Sequence, residues 1–71
     1  MTDATQEVTI NGAPMTVPDP ITVENLLAHL GVETTHVAVE KNRKLVAKKD
    51  YATTTVDTGD ELEIVTFVGG G

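Results

Sequence analysis

The amino-acid sequence predicts an α+β domain: a mixed four- to five-stranded sheet with one main helix packed on one face. Three observations predict it. An Asn-Gly pair near the start joins two short stretches in which polar and apolar side chains alternate, the pattern of a hairpin. One stretch, between residues 22 and 31, spaces its apolar residues for a helix. The longest alternating run comes last, where a strand must return into a sheet already begun. The chain has 71 residues, which enclose a single core.

Residues 1–6 are small, polar and acidic, without periodicity, and are expected to form a disordered N-terminal extension. The domain is expected over residues 7–68, and residues 69–71 as a flexible glycine tail. Glu7-Val8-Thr9-Ile10 alternates, placing Val8 and Ile10 on one face of a first strand. Asn11-Gly12 supplies the two positions of a type I′ turn that require positive φ. The return strand runs through Met15-Thr16-Val17, and Pro14, which has no N–H for a ladder, suits an edge. Pro18-Asp19-Pro20 then ends the pairing.

Thr22 is placed to cap a helix that begins at Val23, with Glu24 favourable in its first turn. Val23, Leu26, Leu27 and Leu30 form one apolar stripe, and Gly31 can end the helix in a left-handed conformation. So short a helix is stable only when packed on a sheet. Val37-Ala38-Val39 reads as a buried strand, residues 41–44 as a polar turn and Leu45-Val46-Ala47 as its return. Residues 48–55 are irregular and include Tyr51, expected to pack across the open side of the sheet. After a turn at Thr58-Gly59-Asp60, residues 61–68 form the longest strand, with Glu61 and Glu63 on its solvent face and Leu62 and Ile64 in the core. A hairpin, a right-handed helical crossover and a long apolar last strand beside the first make a β-grasp arrangement.

Composition narrows the chemistry. No cysteine is present, which excludes a disulfide framework, a thiolate zinc site, an iron–sulfur cluster and a cysteine nucleophile from this chain. His29 and His36 have no patterned ligand partners, so no metal site is predicted; His29 suits the helix C-terminus and His36 a strand end. No apolar run approaches the length of a membrane span and the acidic start is not a signal peptide, so a cytoplasmic protein that binds no membrane is expected, a monomer when free. The net charge of −6 conceals an asymmetry: Lys41, Arg43, Lys44, Lys48 and Lys49 are all the basic residues, and the eleven acids lie elsewhere. This distribution argues against nucleic-acid binding. The basic corner either keeps a hairpin soluble or steers a partner.

The remaining feature is the end of the chain, where Gly69, Gly70 and Gly71 directly follow the most apolar strand. On pattern alone two readings stand. One is a frayed terminus. In the other, residues without a Cβ thread a narrow cleft in extended form and present an uncrowded α-carboxylate, ionised at neutral pH with a reference pKa of about 3.3–3.7.

Val8-Thr9-Ile10-Asn11-Gly12, Glu24-Asn25-Leu26-Leu27, Val37-Ala38-Val39-Glu40-Lys41-Asn42, Gly59-Asp60-Glu61-Leu62-Glu63-Ile64 and the ending Phe67-Val68-Gly69-Gly70-Gly71 together resemble the ThiS family, the sulfur carriers of thiamine biosynthesis. The resemblance covers residues 8–71 and implies a ubiquitin-like β-grasp fold. It also implies a carrier rather than an enzyme. The carboxylate of Gly71 would be adenylated by an ATP-dependent, E1-like activating enzyme, and a sulfur donor would displace AMP to leave a thiocarboxylate. Thiazole synthase would receive that sulfur. No cofactor would be bound by this chain, since ATP and magnesium belong to the activating enzyme. Gly69 and Gly70 would let the tail thread into partner sites, and Phe67 and Val68 would dock against the partner near the tail root. For Phe67, ordinary sheet packing is the alternative. A carrier for molybdopterin or another sulfur-transfer pathway, a ubiquitin-like modifier conjugated through Gly71, and an interaction module with an inert tail remain open at this point.

Overall fold

The computed structural model describes residues 4–67. Val68, Gly69, Gly70 and Gly71, on which the tail readings fall, lie outside the described residues. The elements are β1 (Thr5–Ile10), β2 (Ala13–Pro18), β3 (Ile21–Thr22), α1 (Val23–His29), β4 (Val37–Lys41), β5 (Lys44–Val46), β6 (Thr55–Val56) and β7 (Glu61–Thr66). Five strands form one mixed sheet in the order β2-β1-β7-β4-β5, and β3 and β6 form a separate two-stranded ladder. The last strand lies inside the sheet, parallel to β1 and antiparallel to β4.

The local signals act where the sequence puts them. Asn11 and Gly12 have φ of 51° and 84°, the positive values of a I′ turn, and β2 is an edge strand with Pro14 opposite Thr9. The Thr22 hydroxyl accepts a hydrogen bond from the Asn25 N–H, capping α1. At the other end Gly31, at φ 75°, donates to Ala28 O while Val32 N donates to Leu27 O, the paired bonds of a Schellman closure. Val23, Leu26 and Leu27 are buried against Val8, Ile10, Val37, Val39, Leu62 and Ile64 of the sheet, and Leu30 packs at the margin. Burying each such side chain contributes about 1.5–3 kcal/mol, which is what holds a seven-residue helix in place.

Three sequence expectations are corrected. The sheet starts at Thr5, so residues 5 and 6 of the expected N-terminal extension (1–6) belong to β1. The reason is Gln6, whose side chain is only 6% exposed. Its amide donates to the carbonyls of Pro18 (3.3 Å) and Val56 (3.1 Å), and its oxygen accepts from the Thr58 hydroxyl at 3.3 Å. Those partners are distant in sequence, so local composition could not reveal them. Tyr51 does not cross the open side of the sheet. It is buried in the core, its hydroxyl donates to Val37 O (3.4 Å) and its carbonyl accepts from Glu24 N (2.9 Å). The stretch expected to be irregular contains a 3₁₀ turn over Lys48–Asp50, and β6 follows it and pairs with β3. A two-residue strand carries no periodicity that a sequence could display.

Candidate functional site

The candidate site is the surface around the end of β7, where the chain leaves the sheet toward its glycine tail. Alternation along β7 sends Leu62 and Ile64 to the core and Glu61, Glu63 and Val65 to the open face, which α1 does not cover. Cross-strand register places Ala38 opposite Val65 and Leu45 opposite Glu40, on that same face. Phe67 follows Val65 by two positions and its N–H donates to His36 O at 2.8 Å, continuing the ladder by one residue.

The open face therefore has two halves. Beside the tail root it is apolar: Val65 is 53% exposed and Phe67 57%, with half-buried Ala38 opposite Val65, while Leu45, 72% exposed, lies further along the face beside Glu40. Beside the start of β7 it is acidic, with Glu40 directly opposite Glu63 and Glu61 nearby, around a depression of about 370 Å³ that Thr9 and Arg43 also line. Among the described residues no group of three or more His, Asp and Glu is placed to hold a metal ion. The depression lies at the opposite end of β7 from the tail. Exposed apolar surface of this kind is a candidate docking face.

Side chains fix β7 from Glu61 as far as Ile64. The Asn11 amide donates to Ile64 O (3.1 Å) and accepts from Ile64 N (2.8 Å), while its own N–H donates to Leu62 O (2.9 Å). Asn42, at φ 53° in the β4–β5 turn, accepts from Glu61 N at 3.0 Å and donates to Asp60 Oδ1 at 3.0 Å. Partial burial raises the Asp60 carboxyl, but hydrogen bonds from the Asp57 N–H and the Asn42 amide and the nearby Lys41 ammonium outweigh it and hold the group below its ordinary value of 3.8. The Lys41 ammonium stands 3.7 Å from Asp60 Oδ2.

Phe67, expected from the sequence at a docking surface or in sheet packing, lies on the surface. Leu45 and Val65 were missed, although a signal existed: Val65 occupies the phase of β7 that Glu61 and Glu63 mark as solvent-facing, so an apolar residue there is out of pattern. The basic corner does not act as one unit. Lys41 serves Asp60 and Thr55 O, Lys48 donates to Thr35 O, and Arg43, Lys44 and Lys49 are exposed. His29 is exposed in the last turn of α1, and His36 ends a 3₁₀ turn over Thr34–His36. No helix among the described residues is long and apolar enough to cross a membrane.

Comparison with known proteins agrees with this architecture. The model of the ThiS family matches residues 8–71. A crystal structure of the thiamine biosynthesis protein ThiS from Geobacter metallireducens superposes with a TM-score of 0.81 at 36% identity, covering 93% of this chain and 100% of that one. The curated sulfur carrier protein ThiS of Bacillus subtilis is 40% identical over 53 residues, 75% of this chain and 80% of that protein. A thiazole synthase from Paramagnetospirillum magneticum is 48% identical over 65 residues, which are 92% of this chain but 20% of that protein. The β-grasp sheet, the single helix and these matches lead to one conclusion: the chain belongs to the ThiS family and has its ubiquitin-like fold.

Proposed function

We propose that this chain is a sulfur carrier of thiamine biosynthesis, a protein acted upon rather than an enzyme, and that its working group is the carboxylate of Gly71. A carboxylate oxygen attacks the α-phosphorus of ATP in an activating enzyme, and the bond to pyrophosphate breaks. Sulfur delivered by a donor at the oxidation level of hydrosulfide then attacks the acyl carbon and AMP leaves with the electrons of its bond, so the terminus becomes a thiocarboxylate. Magnesium and ATP are held by the activating enzyme. Gly69 and Gly70, lacking Cβ atoms, fit the narrow approach such chemistry needs, and Val68 joins Phe67 at the docking surface.

The observation that carries this reading is the exposed apolar surface of Val65 and Phe67 at the root of a Gly-Gly-Gly terminus, in a chain of the ThiS family. The patch supplies a docking face and the terminus a reachable nucleophile, which is all a carrier requires. Thiazole synthase is the proposed recipient of the sulfur. It is favoured over a molybdopterin partner because a thiazole synthase contains, within its own chain, a stretch 48% identical to this one. A cytoplasmic location suits partners that consume ATP.

The test is on the terminus. Adding one alanine after Gly71 moves the carboxylate ~3.3–3.6 Å along an extended chain and introduces a Cβ; deleting Gly71 shortens the reach equally. Displacements of about 1 Å in a reacting group can cost ~10²-fold in rate. Both variants are expected to melt like the parent and to lose thiocarboxylate formation, read by intact mass as replacement of one oxygen by sulfur after incubation with activating enzyme, ATP and a sulfur source. Loading of either variant at the parental rate would refute the role of Gly71, and conjugates of higher mass would indicate a modifier instead.

A further inference from the structure

Phe67 is the last described residue, and its tie to the fold is one-sided. Toward β1, the side-chain amide of Asn11 takes both backbone groups of Ile64 (2.8 and 3.1 Å), after which the chain turns away at Gly12 into β2. Toward β4 the ladder runs on through Val37 opposite Thr66 to the bond from Phe67 N–H to His36 O, at 2.8 Å. The acceptor of this final bond lies outside β4, at the end of the 3₁₀ turn over Thr34–His36, where His36 is exposed.

The carbonyls on either side of His36 are held by one short segment. Lys48 Nζ donates to Thr35 O at 3.1 Å and the Tyr51 hydroxyl to Val37 O at 3.4 Å. Both donors come from the 3₁₀ turn over Lys48–Asp50 and the residue that caps it. That turn is itself fixed, because the Tyr51 ring is buried and its carbonyl accepts from Glu24 N at the start of α1. A continuous chain of contacts thus runs from α1 through Tyr51 and Lys48 to residues 35–37 and on to Phe67. Three consecutive carbonyls are engaged, two by side chains and the middle one by the strand end.

We infer that Lys48 is a positioning residue for the C-terminal tail: by holding Thr35 it fixes the His36 carbonyl that anchors Phe67, and so sets the direction in which the chain leaves the sheet. Its consequence for activation rests on the carrier reading above, whereas the tie is a property of the fold. A strand end held on both sides would need no such support. Here, with β1 gone beyond Ile64, loosening residues 35–36 loosens Phe67, the last residue tied to the sheet. An enzyme that accepts one direction then sees an apparent affinity lowered by the fraction of molecules in it.

Lys48→Met keeps the aliphatic stem and removes the donors; Lys48→Arg restores a charged donor; Lys49→Met removes the neighbouring charge, which makes no such bond. Amide hydrogen exchange at Phe67 should accelerate roughly three- to tenfold in Lys48→Met, in keeping with the net worth of one solvent-exposed hydrogen bond. The amides of Val39 and Ile64 should be unaffected. In adenylation by the activating enzyme, the KM for the carrier should rise by a similar factor with kcat unchanged. Lys48→Arg should return both readouts toward the parent, and Lys49→Met should alter neither. Unchanged exchange at Phe67 in Lys48→Met overturns the inference, as does a parental KM alongside faster exchange, or an equal rise in KM from Lys49→Met. If the parent protein is never adenylated, the carrier reading fails, and the exchange comparison still decides whether Lys48 ties the strand end.

Discussion

The two ends of β7 are built in opposite ways. At its start the strand lies between β1 and β4, its backbone taken up by the Asn11 and Asn42 side chains, and Leu62 buried beneath it. At its finish only β4 remains alongside, and Val65 and Phe67 stand exposed. The same six-residue strand thus anchors the fold at one end and offers a surface at the other. The difference shows how one short strand can hold a small domain together and still expose apolar surface. Burial is concentrated where the strand is two-sided, and exposed apolar surface where it is one-sided.

The largest effect expected from perturbing this contrast is at the anchored end. Leu62 is 1% exposed, so Leu62→Ala should destabilise the domain by about 2–5 kcal/mol through lost burial and the cavity left behind, measured by urea denaturation. Thiocarboxylate yield per folded molecule should be unchanged well below the melting temperature. A comparable loss on replacing Phe67 would erase the contrast.

Next comes the Asn11 clamp. Asn11→Gly tolerates the φ of 51° but leaves both backbone groups of Ile64 without the amide, and should cost about 1–3 kcal/mol. Faster hydrogen exchange at Ile64 and a lower denaturation midpoint are expected. A parental midpoint would mean that water replaces the amide without loss.

At the open end the balance reverses. Phe67→Ala should change stability by less than about 0.5 kcal/mol, since surface substitutions away from packed features seldom do more. It should weaken association with the activating enzyme by about 1–2 kcal/mol, in the range for an aromatic interface anchor. Calorimetric binding set beside thermal unfolding of the same variant tests both halves of this statement.

The smallest effect is electrostatic. With the Asp60 carboxyl held below its ordinary 3.8 in the folded protein, the unfolded chain binds the additional proton, so stability rises with pH through this range. The contribution is present above the unfolded value and is lost as pH falls through the folded one. Asp60→Asn should therefore flatten the acid limb of the denaturation midpoint below about pH 4 while leaving its slope near neutrality unchanged. An equally steep acid limb in the variant would place the responsible carboxylate elsewhere.

Much of this protein is written in short-range pattern. The Asn11-Gly12 turn, the Thr22 cap, the helical stripe and the Gly31 ending follow from backbone sterics and local hydrogen bonding, which a few adjacent residues decide. The ThiS resemblance was legible because its motifs are runs of adjacent residues, and the family match covers residues 8–71. Other features depend on residues far apart in the chain that meet only on folding. Gln6 belongs to the sheet because Pro18, Val56 and Thr58 converge on it, Tyr51 is core because the start of α1 and Val37 receive it, and Lys48 matters because Thr35 lies within its reach. The open face was half legible: alternation told which residues point outward, but only the register of the strands set Ala38 opposite Val65 at one end of the face and Glu40 between Glu63 and Leu45 further along it. Sequence by itself determined the hairpin, the helix and the long strands, since these reside in neighbouring residues. Tertiary structure alone decided which polar side chains are buried and which apolar ones gather at the tail root, because burial and proximity are set by the packing of the whole chain.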